Sequence, residues 1–198
     1  MIRRGEPWGH AAIMPDTVVE ANSDAALAMC DRSELIFISH GDIARSIGNP
    51  TLPAKGSRCT EISVDAMKCT LQRRGSEDLP IIAASSIVVG RFWKGRHIVV
   101  SNAGWLNDAN LAPRAHPNDG VVEMLTMSSE MNLRQRFFAR RRMFTGTHLP
   151  HPDITMRRES SIQILREGNE TLKIDGIDFS EWTHLAIDVM PDYWRVLV

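Results

Sequence analysis

The stretch LIFISHGDIARSIGNP, residues Leu35–Pro50, indicates how the first part of the chain folds. Four apolar residues run into Ser39-His40-Gly41-Asp42, and a short amphipathic segment follows. This order is typical of a buried strand that leads through a turn into a helix. Phosphate-binding turns use backbone N–H groups at a helix N-terminus, usually with several glycines, whereas this turn has Gly41 alone. The turn is therefore either a phosphate site or a structural cap made by Asp42.

The composition is that of a globular protein without a strong charge bias. Of the 198 residues, 43% are hydrophobic and 24% are charged, and the formal net charge is −1. This length fits one domain, or one domain with a small appendage. Any attraction to nucleic acid or to an anionic membrane has to come from a local patch, because the net charge is close to zero.

No segment of the sequence predicts export or membrane insertion. The N-terminal MIRRGEPWGH is basic, but no apolar stretch follows it, so we expect no signal peptide. The longest nearly apolar run, LPIIAASSIVVG, is far shorter than the ~20 residues that span a bilayer. The three cysteines lack CxxC spacing and are expected to be reduced thiols. We therefore expect a soluble cytoplasmic protein.

The chain is predicted to be β-rich from about Pro53 onward. TEISVDAMKCTLQ alternates apolar and polar residues, which is the periodicity of a strand. Further strand-like segments, separated by Gly, Asn, Asp and Pro turns, are IIAASSIVVGRFW, GRHIVVSNAGW, GVVEMLTM, SSIQILRE, TLKIDGIDF, HLAIDVM and WRVLV. The pattern favours an α+β fold with a short αβ start and a β-rich body.

Two further segments are predicted to be helical. DTVVEANSDAALAMCD has a helical apolar pattern that Asp16 or Asn22 could cap. In EMNLRQRFFARRRMF, an apolar face can be formed by Leu133, Phe137, Phe138 and Met143.

Two aspartate turns are candidates for chemistry as well as for structure. Asn118-Asp119-Gly120 stands just before a strand, where it makes a natural turn, but its oxygens also suit a hard cation. Asp175-Gly176 lies between two strand-like runs and predicts a hairpin. An aspartate at a strand end can also act as a general base if it reaches a substrate hydroxyl.

The window 134–158 is strongly basic, with seven arginines and one acid, Asp153. Such a face can hold phosphates or anionic headgroups, or it can simply be a solvated helix face. We expect the neighbouring phenylalanines, Phe137, Phe138 and Phe144, to lie in the core. His148 and His151 lie three residues apart, but Pro150 and Pro152 exclude a helix there, so a zinc site is not expected.

Taken in order, four segments resemble the bacterial diacylglycerol kinase (lipid kinase) family, which has the NAD-kinase-like fold. SHGDIARSIGNP is similar to the family's G-T-x-N-D-x-A-R-x-L-G-x-P. The segment from Asn102 through LAPRA to Asp119-Gly120 resembles a family segment with a central Asn, L-A-P-x-A and D-G. FFARRRMFTGTHLPHP resembles a basic helix followed by G-x-H-x-x-H-P, and LKIDGIDF resembles the D-G loop.

The resemblance implies a β-sandwich-like domain with a reduced N-terminal αβ element. We expect residues 1–55 to form the αβ remnant of a nucleotide-binding domain and residues 56–198 to form the β-rich domain, with the C-terminal strands returning to the remnant. The resemblance also implies ATP and Mg²⁺ as cofactors. The implied roles are a general base for Asp175, nucleotide contacts for Ser39, His40, Gly41, Asp42 and Asn102, and Mg²⁺ binding for Asp119.

The sequence also departs from the family pattern. The motif G-G-D-G-T does not occur as a string, and Ile38 and His40 stand where glycines are expected. Ile177 stands where the family usually has Glu after Asp-Gly. These departures remove parts that position phosphates and neutralise their charge.

Two functions from different classes are consistent with this sequence. One is a relative with a degenerate nucleotide site that binds a small phosphorylated or lipid-like ligand or acts as an assembly module. The other is an active ATP- and Mg²⁺-dependent kinase. We favour the first, with at most peripheral membrane contact through Arg140, Arg141 and Arg142, no nucleic-acid partner and a homodimer as the expected assembly.

Overall fold

The computed structural model describes residue 2 and residues 7–198. Residues 1 and 3–6 of the basic N-terminal segment, on which the expectation about export rests, lie outside the described residues. In chain order the elements are β1 (His10–Ile13), β2 (Val19–Ala21), α1 (Asp24–Ala28), β3 (Leu35–Ile38), α2 (Asp42–Ser46), β4 (Arg58–Arg73), β5 (Leu79–Ala83), β6 (Ser86–Arg91), β7 (Lys94–Ser101), β8 (Trp105–Leu106), β9 (Ala109–Asn110), β10 (Val122–Met127), α3 (Leu133–Met143), β11 (Ile154–Glu159), β12 (Ser161–Leu165), β13 (Leu172–Ile174), β14 (Ile177–Phe179) and β15 (Trp182–Leu197).

The described strands form two main sheets that pack as a β-sandwich. The first sheet has the order β1-β4-β15-β3-β2, with β5 added on β4 and β12 added on β15. The second sheet has the order β11-β10-β7-β6-β13-β14, and β8 and β9 form a separate hairpin. Between the sheets lies a core that includes Leu71 and Leu185 from the first sheet and Val89 and Val100 from the second. The prediction of a β-rich α+β fold with a sandwich-like domain is confirmed.

Strand β15 joins the sandwich to the αβ segment, residues 19–46. It pairs antiparallel with β4 along most of its length and parallel with β3 near its end, where Arg195 faces Leu35. Strands β2 and β3 are also parallel. A second core covers this region and includes Ile36, Ile43 and Trp194. The division at residue 55 stays a prediction; β4 and β15, which both lie after it, contribute residues to both cores.

The prediction of a helix over DTVVEANSDAALAMCD is wrong for the first half of this segment. Val19–Ala21 is a strand, and α1 begins at Asp24 with Ser23 as its N-cap. The parallel pairing of β2 with β3 explains the difference, because ladder hydrogen bonds to β3 outweigh the helical pattern of this short segment. The strand predicted at LIFIS and the short helix after it are confirmed as β3 and α2.

Helix α3 lies on the outer face of the second sheet. The side of the helix that packs there is not the side that its sequence predicts. Its buried side chains are Arg136, Ala139 and Met143, which pack with Leu125 and other residues of a third core. Leu133, Phe137, Phe138 and Phe144 are instead exposed. The expectation that these phenylalanines lie in the core is therefore wrong. Within the described residues, no helix combines the length and apolar character needed to cross a bilayer.

Candidate functional site

Three aspartates that are distant in sequence converge where the αβ segment meets the sandwich. Asp24 begins α1, Asp42 begins α2, and Asp175 lies in the turn between β13 and β14. Burial raises the pKa of Asp24 and of Asp42, and the negative charge of nearby Asp175 raises both further. The site is therefore acidic and partly shielded from water.

The Asp24 carboxylate caps helix α2 with both of its oxygens. The backbone N–H of Asp42 donates to one oxygen at 2.7 Å, and the N–H of Ile43 donates to the other at 3.0 Å. Gly41 has a φ of 116°, and a Cβ at this position would lie 2.5 Å from a carboxylate oxygen of Asp24. Glycine is therefore required by the close approach of Asp24 as well as by the backbone conformation.

The Asp175 carboxylate binds a second backbone turn, at Ala84–Ser86. The N–H groups of Ala84, Ser85 and Ser86 donate to it at 2.7, 2.9 and 2.9 Å, and the Ser85 hydroxyl donates at 3.1 Å. Asp175 has a φ of 46°, and its own N–H donates to the Ser86 carbonyl. The hairpin predicted at Asp175-Gly176 is confirmed, and the Asp175 side chain connects it to the turn that leads into β6.

Asp42 is buried beside two other carboxylates. Its Oδ2 accepts a hydrogen bond from the Asn107 N–H at 3.1 Å. Burial raises the pKa of Asp42 to about 6, and the negative charges of Asp24 and Asp175 act in the same direction. The Asn107 hydrogen bond and the positive charge of Arg45 oppose this rise.

The other residues predicted to contact a nucleotide are Ser39, His40 and Asn102. Ser39 Oγ lies 3.0 Å from Nδ1 of the exposed His40. Asn102 is fully buried, and its Nδ2 donates to the carbonyls of Asp65 and Ala84. Asn102 therefore supports the Ala84–Ser86 turn from behind. The roles of these residues toward a nucleotide stay predictions.

Asp119, the residue expected to bind Mg²⁺, lies apart in an ion pair. Its Oδ2 accepts a short hydrogen bond from Arg158, and its Oδ1 accepts one from the Val121 N–H. Arg158 also donates from Nε to Glu123 Oε1 at 3.2 Å. Across the described chain, no group of three or more His, Cys, Asp or Glu side chains is arranged to hold a metal ion. Arg158 supplies the positive charge beside Asp119.

A cavity of about 480 Å³ adjoins this ion pair and is a second candidate site. Leu111, Leu149 and Met156 line it with apolar side chains, and its polar or charged lining residues are Arg114, Glu123, His148 and Arg158. His148 is buried, and neither ring nitrogen has a hydrogen-bond partner among the described residues. Within the same described part of the chain, Glu123 Oε2 is also buried without a partner. Burial raises the pKa of Glu123 to about 7, and burial lowers the pKa of His148.

Sequence reasoning missed Asp24, Glu123 and His148 as site residues. Asn22-Ser23-Asp24-Ala25-Ala26 follows β2 and keeps the central aspartate of the G-G-D-G-T pattern while losing every glycine, so a search tolerant of substitutions could have found it. Glu123 is the one charged residue in the mostly apolar strand VEMLTM, which is also a usable signal. The spacing of His148 and His151 is visible in the sequence, but the burial of His148 depends on tertiary packing.

Comparison with known proteins identifies the fold family. The profile of the YegS C-terminal NAD kinase beta sandwich-like domain matches residues 66–198. The chain is similar to a crystal structure assigned as a diacylglycerol kinase from Bacillus anthracis str. Sterne, with a TM-score of 0.56, 14% identity, and coverage of 90% of this chain and 76% of that chain. It is also similar to yeast NADH kinase complexed with NADH, with a TM-score of 0.55, 8% identity, and coverage of 91% of this chain and 60% of that chain.

A search of curated protein sequences gives no match. At such low identities the structural neighbours establish the fold alone, whereas the profile covers about two thirds of the chain. The sandwich core, the hairpin carrying Asp175 and the second half of β4 all fall within the matched residues. The chain therefore belongs to the YegS C-terminal NAD kinase beta sandwich-like domain family.

Proposed function

We propose that this chain is a non-phosphorylating member of its family that binds a lipid-like ligand. The observation that carries the proposal is the Asp24 carboxylate on the N–H groups of Asp42 and Ile43, in a segment, residues 22–26, that has lost every glycine of G-G-D-G-T. A nucleotide phosphate would need these same N–H groups. The protein's own anion already occupies them.

The charge around this turn also opposes ATP. Burial raises the pKa of Asp42 to about 6, and the negative charges of Asp24 and Asp175 act in the same direction, so this turn disfavours additional negative charge. Like charges repel strongly where burial limits screening by water. A triphosphate would add negative charge to a site whose neighbouring cation, Arg45, already pairs with Asp108.

The kinase alternative requires Asp175 as its general base, but the Asp175 carboxylate already accepts hydrogen bonds from the turn at Ala84–Ser86. A general base must reach the substrate hydroxyl with a free lone pair. The Asp175 oxygens already accept four hydrogen bonds from Ala84–Ser86, and exposed Ile177 takes the place of the family's usual Glu. This arrangement and the Asp119–Arg158 ion pair favour structural roles for Asp175 and Asp119 in this chain.

The cavity at Glu123 and His148 is where we place the lipid-like ligand. Its volume is within the range of small-molecule sites, which combine apolar walls with few polar groups. A neutral imidazole offers one donor and one acceptor, and the second oxygen of Glu123 can accept from a hydroxyl. Of the two arginines that line the cavity, Arg158 is already paired with two acids and Arg114 is exposed to water, so an uncharged amphiphile carrying hydroxyl groups fits this site better than an anion.

The absence of nucleotide binding is tested by thermal unfolding with Mg-ATP, Mg-ADP and NAD. A ligand at 100-fold its dissociation constant would add about 2.7 kcal/mol of stability. We expect no shift in melting temperature for the wild type. Asp24→Ala should lose roughly 2–4 kcal/mol of stability and should regain part of it with inorganic phosphate, which then reaches the freed N–H groups.

A melting-temperature rise with Mg-ATP that disappears in Asp42→Ala would instead support the kinase alternative. Transfer of phosphate from ATP to a lipid hydroxyl by the wild type, and loss of this transfer in Asp175→Asn, would also support the kinase alternative. If inorganic phosphate does not restore stability to Asp24→Ala, the N–H groups at the start of α2 are not an anion-binding site. The proposal would then lose the observation on which it depends.

Ligand binding is tested with a monoacylglycerol of ten carbons below its micelle concentration. We expect it to raise the melting temperature of the wild type, and we expect His148→Leu to abolish that rise. His10→Leu is the matched control, because His10 is an exposed residue outside the cavity. A fatty acid of equal length, which carries a negative charge, should bind more weakly. Equal responses from both histidine variants would contradict the assignment of this cavity.

A further inference from the structure

Helix α3 presents a row of apolar side chains to solvent. Its inward side is made by Arg136, Ala139 and Met143. On its outward side, four large apolar residues are between 46% and 65% exposed: Leu133, Phe137, Phe138 and Phe144. Such a concentration of exposed aromatic side chains on one short helix is unusual for a surface that contacts only water.

The turn between β6 and β7 extends this apolar surface. Trp93 is 47% exposed, and its ring centroid lies 4.9 Å from that of Phe92. The buried guanidinium of Arg136 donates to the carbonyls of Phe92 and Gly95, which joins the turn to the helix. Arg140 lies 5.5 Å from the Phe92 ring centroid and 5.6 Å from that of Phe144. We call residues 91–94 and the outward side of 133–144 the aromatic–basic surface.

The same surface carries a concentrated positive charge. Residues 91–95 and 132–144 contain no Asp or Glu, in a chain whose net charge is −1. The exposed basic side chains of the surface are Arg91, Lys94, Arg134, Arg140, Arg141 and Arg142. This local patch is the kind of feature that a near-neutral protein needs if it is to bind an anionic partner.

We propose that the aromatic–basic surface docks on an anionic lipid bilayer. Trp and Phe side chains insert at the boundary between headgroups and acyl chains, and arginines around them pair with lipid phosphates. A flat basic surface for nucleic acid would need no protruding aliphatic side chain such as Leu133, whereas a bilayer accommodates it. This proposal goes beyond the proposed function and holds whether or not the Glu123 cavity takes a ligand.

The test is cosedimentation of the full chain with vesicles. We expect binding to vesicles of 30% phosphatidylglycerol in phosphatidylcholine, little binding to phosphatidylcholine alone, and release by salt. The triple variant Arg140→Gln, Arg141→Gln, Arg142→Gln should bind at least about tenfold more weakly. The control triple variant Lys55→Gln, Arg58→Gln, Arg74→Gln has the same change of net charge outside the surface and should bind as the wild type does.

Insertion of the aromatic side chains is measured separately. Vesicles with brominated acyl chains should quench part of the tryptophan fluorescence, and Trp93→Phe should remove that quenching while the circular dichroism spectrum and melting temperature stay unchanged. Equal loss of binding in both triple variants would overturn the proposal, because the attraction would then be one of net charge alone. Binding to poly-uridine without binding to vesicles would overturn it in favour of a nucleic-acid partner.

Discussion

At the scale of single residues, Asp24 and Asp175 act in the same way in two different turns. Each carboxylate accepts the N–H groups of consecutive residues, Asp42 and Ile43 in one case and Ala84–Ser86 in the other. Hydrogen bonds to a charged acceptor are stronger than those between neutral groups, and unpaired buried N–H groups are costly. The acidic positions therefore have a structural function that a motif search cannot distinguish from a catalytic one.

The raised pKa of Asp42 predicts a pH dependence of stability. The folded pKa is about 6 against an unfolded value of 3.8, so the folded state holds this proton more tightly. Ionisation of Asp42 therefore destabilises the fold, and the loss accumulates from about pH 4 to about pH 6. We expect the free energy of unfolding of the wild type, relative to Asp42→Asn, to fall over this interval.

Urea unfolding at several pH values measures this difference. In the Asp42→Asn variant the side-chain amide oxygen can still accept from the Asn107 N–H, so the substitution removes the charge with little change of shape. Asp178→Asn serves as the control, since Asp178 is an exposed residue on β14. Parallel pH curves for the wild type and Asp42→Asn would contradict the prediction.

At the scale of elements, α3 depends on polar contacts at its start and in its buried face. Asn132 and Gln135 form a reciprocal capping box. Arg136 is 1% exposed, and its guanidinium donates to four carbonyls, those of Phe92, Gly95, Ser128 and Met131. A buried cation surrounded by carbonyl oxygens holds the helix against the β6–β7 turn, which explains how a helix with an arginine-rich sequence can be docked.

Removing this cation should therefore lower the free energy of unfolding more than removing an exposed arginine does. We expect Arg136→Met to lower the free energy of unfolding by about 3 kcal/mol, because four carbonyls lose their donor. Arg134→Met, on the exposed side of the same helix, should stay within about 0.5 kcal/mol of the wild type. Urea denaturation followed by circular dichroism compares the two variants, and similar losses in both would refute the assigned role of Arg136.

At the scale of the whole molecule, the two longest strands connect both parts of the fold. Strand β4 pairs with β15 from Trp182 to Leu197, with register shifts between Trp182 and His184 and between Met190 and Trp194, so the pairing continues from the sandwich to the end of β15 that lies beside β3. Trp194 lies in the core of the αβ segment and Trp182 in the core of the sandwich, and both are fully buried. The homodimer expected from the sequence stays a prediction, and a monomeric sedimentation profile at high protein concentration would count against it.

This shared ladder predicts that the two parts unfold together. In native-state hydrogen exchange, the slowest amides of Ile62–Val64 and of Met67–Leu71 should open with the same free energy, and both should follow global unfolding in urea. Gly75, in the turn that follows β4, lies outside the ladder and should exchange much faster. A markedly lower opening energy for β3 and the end of β15 would show that the αβ segment unfolds on its own.

The β-rich class, the strand, turn and helix at residues 35–50 and the family resemblance could be predicted from the sequence, because residue alternation and the order of motifs can be read along the chain. Which group faces the Gly41 turn depends on long-range contacts, because the parallel pairing of β2 and β3 brings Asp24 to that turn. Tertiary packing also decided that Phe137 and Phe138 face solvent. Which side of α3 packs against the sandwich depends on the carbonyl groups that accept hydrogen bonds from Arg136. The sequence of the helix does not contain that information.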